Sequence, residues 1–557
     1  IISSFFASNY VGVEAMSAVG LFAPFIMFIS AVSNMLLGGS SVLCGRAAGM
    51  NDQKKLMNVF SVNILVSAVI SIAITVILVI LGATDMTGFI THDRAVRTLF
   101  NQYVIGQAIG VFPYFVGDQM PTYLIMENRN RQTTIASLSC IFFNILFNIL
   151  LVNVLHMGAF GLAMAVSLSN WAFLLVEAWP FIAKKTHFRM TLGNIDWSDS
   201  LGIIKVGYPG AATYIFQTAR GFIVNWLITL YVGSVGISAF TAANTFLSLF
   251  WAVPTGMFAV SRLLISVSVG AEDRQTLTDV MRVMFKRFVP LQCLISLGII
   301  LCAVPITHIY YHDPSADVFA LTVSGFRILP LCMPFSVVFL HFISYGQAAG
   351  RSGFVNAASF LDGVLDVAVF SAILVPVIGL NGVYIANVIN GVITTVFIIA
   401  YACIKCGTFP RTMDQLLALP DDFGTPENER MDLTVNSLEA VVGISEEIQK
   451  FCLGRGVDKR KSYLAGLSME EMAGNVIEHG FSKDNKKHSV DIRVAHKNGD
   501  VILLIRDDCV PFDPAKRQQM AENDDPVANI GIRTVFATAS DVQYQNILGM
   551  NMLTIRI

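Results

Sequence analysis

Glu471, Asn475 and His479 recur at every fourth position and so stand in one row along a helix, an acid, an amide and an imidazole together. Ala473, Val476 and Ile477 fall on the other faces, available for packing. The plain alternative for such a row is an exposed polar helix surface. A second pair has a different setting: Asp362 and Asp366 are four residues apart in an otherwise apolar stretch. Read as an α-helix, this spacing puts both carboxylates on one face near the middle of a membrane. They repel unless they share a proton or a cation, the property an ion-coupling site needs. The alternative is a structural pairing of either acid with Arg220 or Arg327. Asp118, Glu177 and Arg262 are the other ionisable groups inside apolar segments, where such groups are costly and tend to be functional. His341 reads as a packed polar residue, and Cys403 with Cys406 has no second pair to complete a zinc site.

The elements that position these groups are of two kinds. Of 557 residues, 54% are hydrophobic and 14% charged, which excludes an ordinary soluble enzyme. Up to about Gly407 the chain is a succession of apolar runs; beyond it charge is dense and the runs are short. Nine cysteines lie scattered, mostly within apolar segments, as small buried hydrophobes rather than a disulfide framework. The opening IISSFFASNY reads as the tail of a truncated first helix, not as a signal peptide. Spans of about 20 apolar residues are expected near 15–45, 56–82, 96–124, 132–155, 158–183, 203–232, 236–268, 284–311, 318–346, 353–377 and 381–405.

The first part of the chain is written twice. Tyr10 in YVGVEAMSA falls on Tyr231 in YVGSVGISA, 221 residues later, and in the same register Asp52 falls on Asp273 and Pro113 on Pro334. This is a duplicated multi-span unit, an organisation typical of secondary transporters, with the substrate site at the seam. The boundaries are 1–190 for the first six-helix repeat, truncated at its first helix, and 191–406 for the second. Residues 407–430 form a linker with one short helix, and 431–557 a soluble α/β domain whose Asn498-Gly499 turns a hairpin. Arg46, Lys54, Lys55, Arg129, Arg131, Lys184 and Lys185 share one side of the spans with later basic loops. By the positive-inside rule that side, and the C-terminal domain with it, is cytoplasmic, in a multi-pass plasma-membrane protein.

Residues 1–406 resemble the multidrug and toxic-compound extrusion (MATE) transporters, on the paired six-helix repeats and the GRAAGMND at the cytoplasmic end of the second helix. The resemblance implies two helix bundles around a central cavity and export of small organic compounds in exchange for Na⁺ or H⁺. One branch of that family builds a cation site from an Asn and an Asp four residues apart in the fifth helix; Asn144 and Asn148 stand there. These amides can coordinate Na⁺ but carry no titrating proton.

LSMEEMAGNVIEHGF resembles the N box of the GHKL ATPases, most closely the anti-sigma-factor serine kinase branch. That resemblance implies an α/β sandwich that binds ATP. Asn475 would be the Mg²⁺ ligand, Glu471 the general base for an acceptor hydroxyl, and His479 part of the nucleotide site. RDDCVPFDP is similar to the family's next box, in which Asp507 would accept from the adenine amine, with Phe512 beside it and Cys509 in place of a glycine. ANIGIRTVF, with Gly531, corresponds to the phosphate-side turn, and GMNMLTI, with Asn551, to the closing strand. Lys516 and Arg517 are the basic residues nearest a lid.

Together these readings give a polytopic α-helical antiporter in the lipid bilayer with a cytoplasmic ATP-binding domain that regulates it or phosphorylates an anti-anti-sigma-type partner. The alternatives are a membrane-anchored signalling serine kinase and a lipid-linked sugar flippase of a related superfamily. Nucleic acid is not an expected partner. The chain lacks the phosphate loop of a transport ATPase, so ATP is not expected to drive transport directly.

Overall fold

The computed structural model describes residues 6, 11, 18–84, 87, 94–191, 193, 195–311, 313–421, 423–425, 429–481, 488–497, 499–515, 530–547 and 549–557. Residues 1–5 and 7–10, Asn498, Lys516, Arg517, Ala528 and Asn529 lie outside these. The chain divides into two compact units. One comprises Ile1–Tyr123, Asn130–Gly270 and Gln275–Leu419; the other comprises Leu124–Arg129, Ala271–Arg274 and Pro420–Ile557.

The first unit is helical. Among the described residues, nine helices are long and apolar enough to cross a membrane, and this is a multi-pass membrane protein. Side chains such as Phe142 and Ile404 are 62% and 81% exposed, which only a lipid surround makes economical. The first half contains α1 (Ala23–Gly49), α2 (Gln53–Ala83), α3 (Arg94–Met126), α4 (Asn130–Asn148) and α5 (Gly158–Ile182). The second half begins with α6 (Ser198–Tyr231), α7 (Ser234–Phe250) and α8 (Ala252–Gly270). It continues with α9 (Arg274–Val283), α10 (Val289–Leu301), α11 (Ala303–Tyr310), α12 (Asp317–Ile328) and α13 (Met333–Ala348). It ends with α14 (Ser352–Phe360), α15 (Asp366–Ile378) and α16 (Asn381–Cys406).

Several expected continuous helices are interrupted. The 236–268 span breaks at Trp251, just ahead of Pro254, whose ring meets the carbonyl four residues back. The 318–346 span passes through a 3₁₀ turn at Leu329–Cys332, where Pro330 lacks a donor. The span placed at 284–311 begins nearly three turns earlier, at Arg274, and passes through a π turn at Met284–Phe288. Two more π turns follow α4, at Ile149–Val154, and α14, at Leu361–Leu365.

The halves meet where α1 packs on α6 and α8. Glycines allow the approach. A Cβ at Gly39 would strike the main chain of Ile203, and one at Gly207 the carbonyl of Met35. A Cβ at Gly270 would meet the main chain of Arg46. In a bilayer, such close backbone contact replaces the hydrophobic drive as the source of helix association. At the start of α6, Asp199 accepts from Lys55 Nζ (2.5 Å) and Asn58 Nδ2 (2.7 Å) of α2.

The first part of the expected linker is not free. Thr412 caps a short helix, α17 (Met413–Leu416), in a capping box with Gln415. Arg351 then donates to the carbonyls of Leu417 (2.8 Å) and Ala418 (2.6 Å), so this segment belongs to the membrane unit.

The second unit is an α/β sandwich. Its antiparallel sheet has the order β1 (Arg430–Val435), β2 (Val490–Lys497), β3 (Asp500–Asp507), β5 (Met550–Arg556), β4 (Asp541–Ile547). β3 alternates buried and half-buried residues along its whole length, the signature of a strand covered on one face. That face carries α18 (Leu438–Gly454), α19 (Lys459–Gly480) and α20 (Ile530–Thr538), with Ile448, Met469, Val494, Leu503 and Ile555 in the core between them. Asp458 caps α19 through the amides of Arg460 and Lys461, which sets the phase of the helix and of its Glu-Asn-His row.

Candidate functional site

In the α/β unit, α19 and β3 bring Asn475, His479, Asp507, Phe512 and Asn551 to one pocket. At its floor, Asp507 Oδ1 accepts from Asn551 Nδ2 (2.6 Å) and from the Cys509 amide (3.0 Å). Asn551 Nδ2 also donates to the Cys509 carbonyl (3.0 Å). Its Oδ1 accepts from the Tyr544 hydroxyl (2.7 Å) and Asn546 Nδ2 (2.8 Å). The orientation of Asp507 is therefore held from the closing hairpin. Burial raises the Asp507 carboxyl above the ordinary carboxylate range, and the bonds from Asn551 and Cys509 draw it back.

Glu471 is not in the pocket wall. Its carboxylate lies against Gly531 at the start of α20, where any Cβ would collide with it. A Cβ at Gly480 would lie 3.0 Å from the Cys509 Cβ and Sγ, so the buried Cys509 side chain packs closely in the wall of the pocket, whose free volume is about 30 Å³. The donors and acceptors suit a purine, with a carboxylate positioned to accept and an amide oxygen on Asn475 for a hard cation. The walls at Cys509 and Phe512 must part to admit one. Sequence reasoning missed Tyr544, since its role depends on hairpin register alone.

In the membrane unit, the candidate residues fall into separate groups. Asp118 accepts from Ser33 Oγ of α1 (2.6 Å). Asn144 donates to Ser169 Oγ (3.2 Å), and Asn148 donates back to the Asn144 carbonyl (2.8 Å). Glu177 is fully buried, and neither of its carboxylate oxygens has a hydrogen-bond partner among the described residues. His341 bridges the Val337 carbonyl (2.7 Å) and Ser261 Oγ (2.9 Å), a packed polar residue.

A π turn at Leu361–Leu365 lies between Asp362 and Asp366, and the two carboxyls remain within electrostatic reach of one another. The Asp362 carboxylate accepts from Asn390 Nδ2 (2.9 Å), while Arg220 donates instead to the Asp362 main-chain carbonyl (3.3 Å). Asp366 is 5% exposed, and its Oδ2 has no partner among the described residues.

Between α1 and the second half lies a cavity of about 410 Å³. Of the candidates, only Arg220 lines it; Gln217, Asn225, Asn244 and Asn387 stand beside it. Those four were visible as polar residues in apolar spans and were not picked out.

This two-part helical fold with a central cavity has known counterparts. A MatE family model matches residues 1–150 and 209–373, and a histidine kinase-like ATPase domain model matches residues 434–557. The solved structures it resembles include one described as the outward-facing conformation of a multidrug resistance MATE family transporter of the MOP superfamily. That match has 20% identity and a TM-score of 0.67, covering 74% of this chain and 92% of that one. Another is a MOP superfamily transporter from Pyrococcus furiosus, with 21% identity and a TM-score of 0.64 over 71% and 88% of the two chains. Among curated proteins, Probable multidrug resistance protein NorM of Bacillus licheniformis is 23% identical over 32% of this chain and 41% of its own length. Its Bacillus subtilis namesake is 23% identical over 37% and 47%. The chain spans less than half the length of these relatives. It belongs to the MatE family and carries a C-terminal histidine kinase-like ATPase domain.

Proposed function

We propose that the chain is a secondary-active exporter of small organic compounds in the plasma membrane, with its C-terminal domain cytoplasmic and ATP-binding. The observation that carries the transport reading is the cavity between α1 and the second half, with the half-buried Asp362 and the buried Asp366 behind its wall. The two relatives named above are designated multidrug resistance proteins, which supports export. The halves pack most closely toward the Arg46 end of α1 and the cavity lies toward its Ile26–Ser30 end, which supports an arrangement open to the outside. Asp362 and Asp366 are the coupling pair in this reading, exchanging Na⁺ or H⁺, with Asp118, Glu177, Asn144 and Asn148 as further candidates.

The test uses the full chain in proteoliposomes with an imposed Na⁺ or H⁺ gradient and no nucleotide. Substrate flux that collapses with an ionophore is expected; no flux under either gradient overturns the reading. Asp366→Asn is expected to lower gradient-driven flux at least ~10-fold while leaving substrate exchange at zero gradient, since a single carboxamide cannot release the coupling ion.

The ATPase-like domain supports a second activity because Asn475 and Asp507 face one pocket. Asn475 would hold Mg²⁺ and Glu471 would take the proton of a serine hydroxyl on an anti-anti-sigma-type partner. Glu471→Ala is expected to remove phosphate transfer to such a partner, with ATP affinity within ~3-fold of wild type and export unchanged. Transfer that survives the substitution excludes Glu471 as the base.

A further inference from the structure

We infer that the membrane cavity selects amphiphilic organic anions, bearing a carboxylate, sulfonate or phosphate, rather than lipophilic cations. The inference rests on the export reading and names its substrate class. Among the described residues lining the cavity, Arg220 is the one group charged at neutral pH. Among the described residues its hydrogen bond to protein goes to a main-chain carbonyl, that of Asp362, while the Asp362 carboxylate lies within electrostatic reach without bonding to it. The guanidinium therefore keeps donors for a ligand, in the planar fork that matches a carboxylate or phosphate.

The acids nearby are turned to other partners or lie outside the wall. Asp362 holds Asn390 (2.9 Å) and Asp118 holds Ser33 (2.6 Å). Asp366 is buried beside Val367, which does line the cavity, but Asp366 does not. A cation in this space meets a like charge in a setting that screens it poorly, and finds no carboxylate among the described residues of the wall. The amides of Gln217, Asn225, Asn244 and Asn387 donate readily to an anion, and Met27, Phe240 and Leu329 supply the apolar side for the rest of the molecule.

The test compares fluorescein, ethidium and a fluorescently labelled phosphatidylglycerol with the full chain. Binding is measured in detergent, and movement is measured in proteoliposomes under a gradient. Wild type is expected to bind fluorescein or the labelled lipid at least ~10-fold more tightly than ethidium. Arg220→Gln should remove that preference, Arg220→Lys should keep part of it, and Arg220→Glu should invert it, each with an unchanged melting temperature. A response to the lipid but not to fluorescein assigns the anion to a headgroup, and the reverse assigns it to a soluble compound; both uphold the inference. Tighter ethidium binding, or a preference indifferent to Arg220→Gln, overturns it while leaving export standing. Anion binding without any gradient-driven movement leaves the inference standing and overturns export.

Discussion

Asp507→Asn is expected to weaken ATP binding by ~100-fold or more, from lost charge and an opposed donor. The substitution is nearly isosteric, so packing is not at issue. In the native pocket Asn551 Nδ2 donates to Asp507 Oδ1 (2.6 Å), and the Cys509 amide donates to the same oxygen (3.0 Å). An asparagine at 507 must turn its one carbonyl oxygen toward these two donors. Its NH₂ then faces the ligand, where an adenine amine also presents hydrogens. Two donors meeting in a buried site forfeit the bond and leave both unsatisfied. The same geometry favours a base with an acceptor at that position, so discrimination against GTP should shrink or reverse. Calorimetry with ATP and GTP on the full chain checks both parts. Unchanged ATP affinity would mean the base does not rest on Asp507.

Gly207→Ala is the larger perturbation in the membrane unit. The added methyl lands on the Met35 carbonyl and close to the Gly39 amide, and main-chain atoms cannot rotate away as a side chain can. Overpacking of this kind costs about 1–3 kcal/mol, a shift of roughly five- to 150-fold away from the state in which α1 and α6 touch. Cys44 is buried on α1 and reports the change. Its labelling by a maleimide, followed by peptide mass, should rise sharply in Gly207→Ala. Gly256→Ala, where nothing lies within 4 Å of the new methyl, should leave it unchanged. Equal labelling in all three proteins would mean that the α1–α6 contact does not limit opening.

Much of this architecture is legible in the residues. The 221-residue register and the apolar runs announce a duplicated membrane unit, because lipid forces long uninterrupted segments. The Glu471, Asn475, His479 row and the Asp507 box are legible because local spacing sets them on a helix face and at a strand end. The wide turn at Leu361–Leu365 is not legible, since no residue type demands it. Nor is the hydrogen-bond acceptor of Arg220, which is the Asp362 main-chain carbonyl and not the nearby Asp362 carboxylate. The glycines of α1 and α6 carry no label that separates a close crossing from ordinary small residues until the two helices are seen together. Tyr544 reaches Asp507 only through Asn551, a relay that depends on how β4 is paired to β5.

The π turn at Leu361–Leu365 does not break the inward row of its helix. Val355, Ser359, Gly363, Val367, Ser371 and Val375 are all buried, four residues apart, before, within and after the wide turn. A substitution scan stepped by four from Val355 would therefore stay on the inward side to the end of the span, whereas one stepped by seven would drift off it.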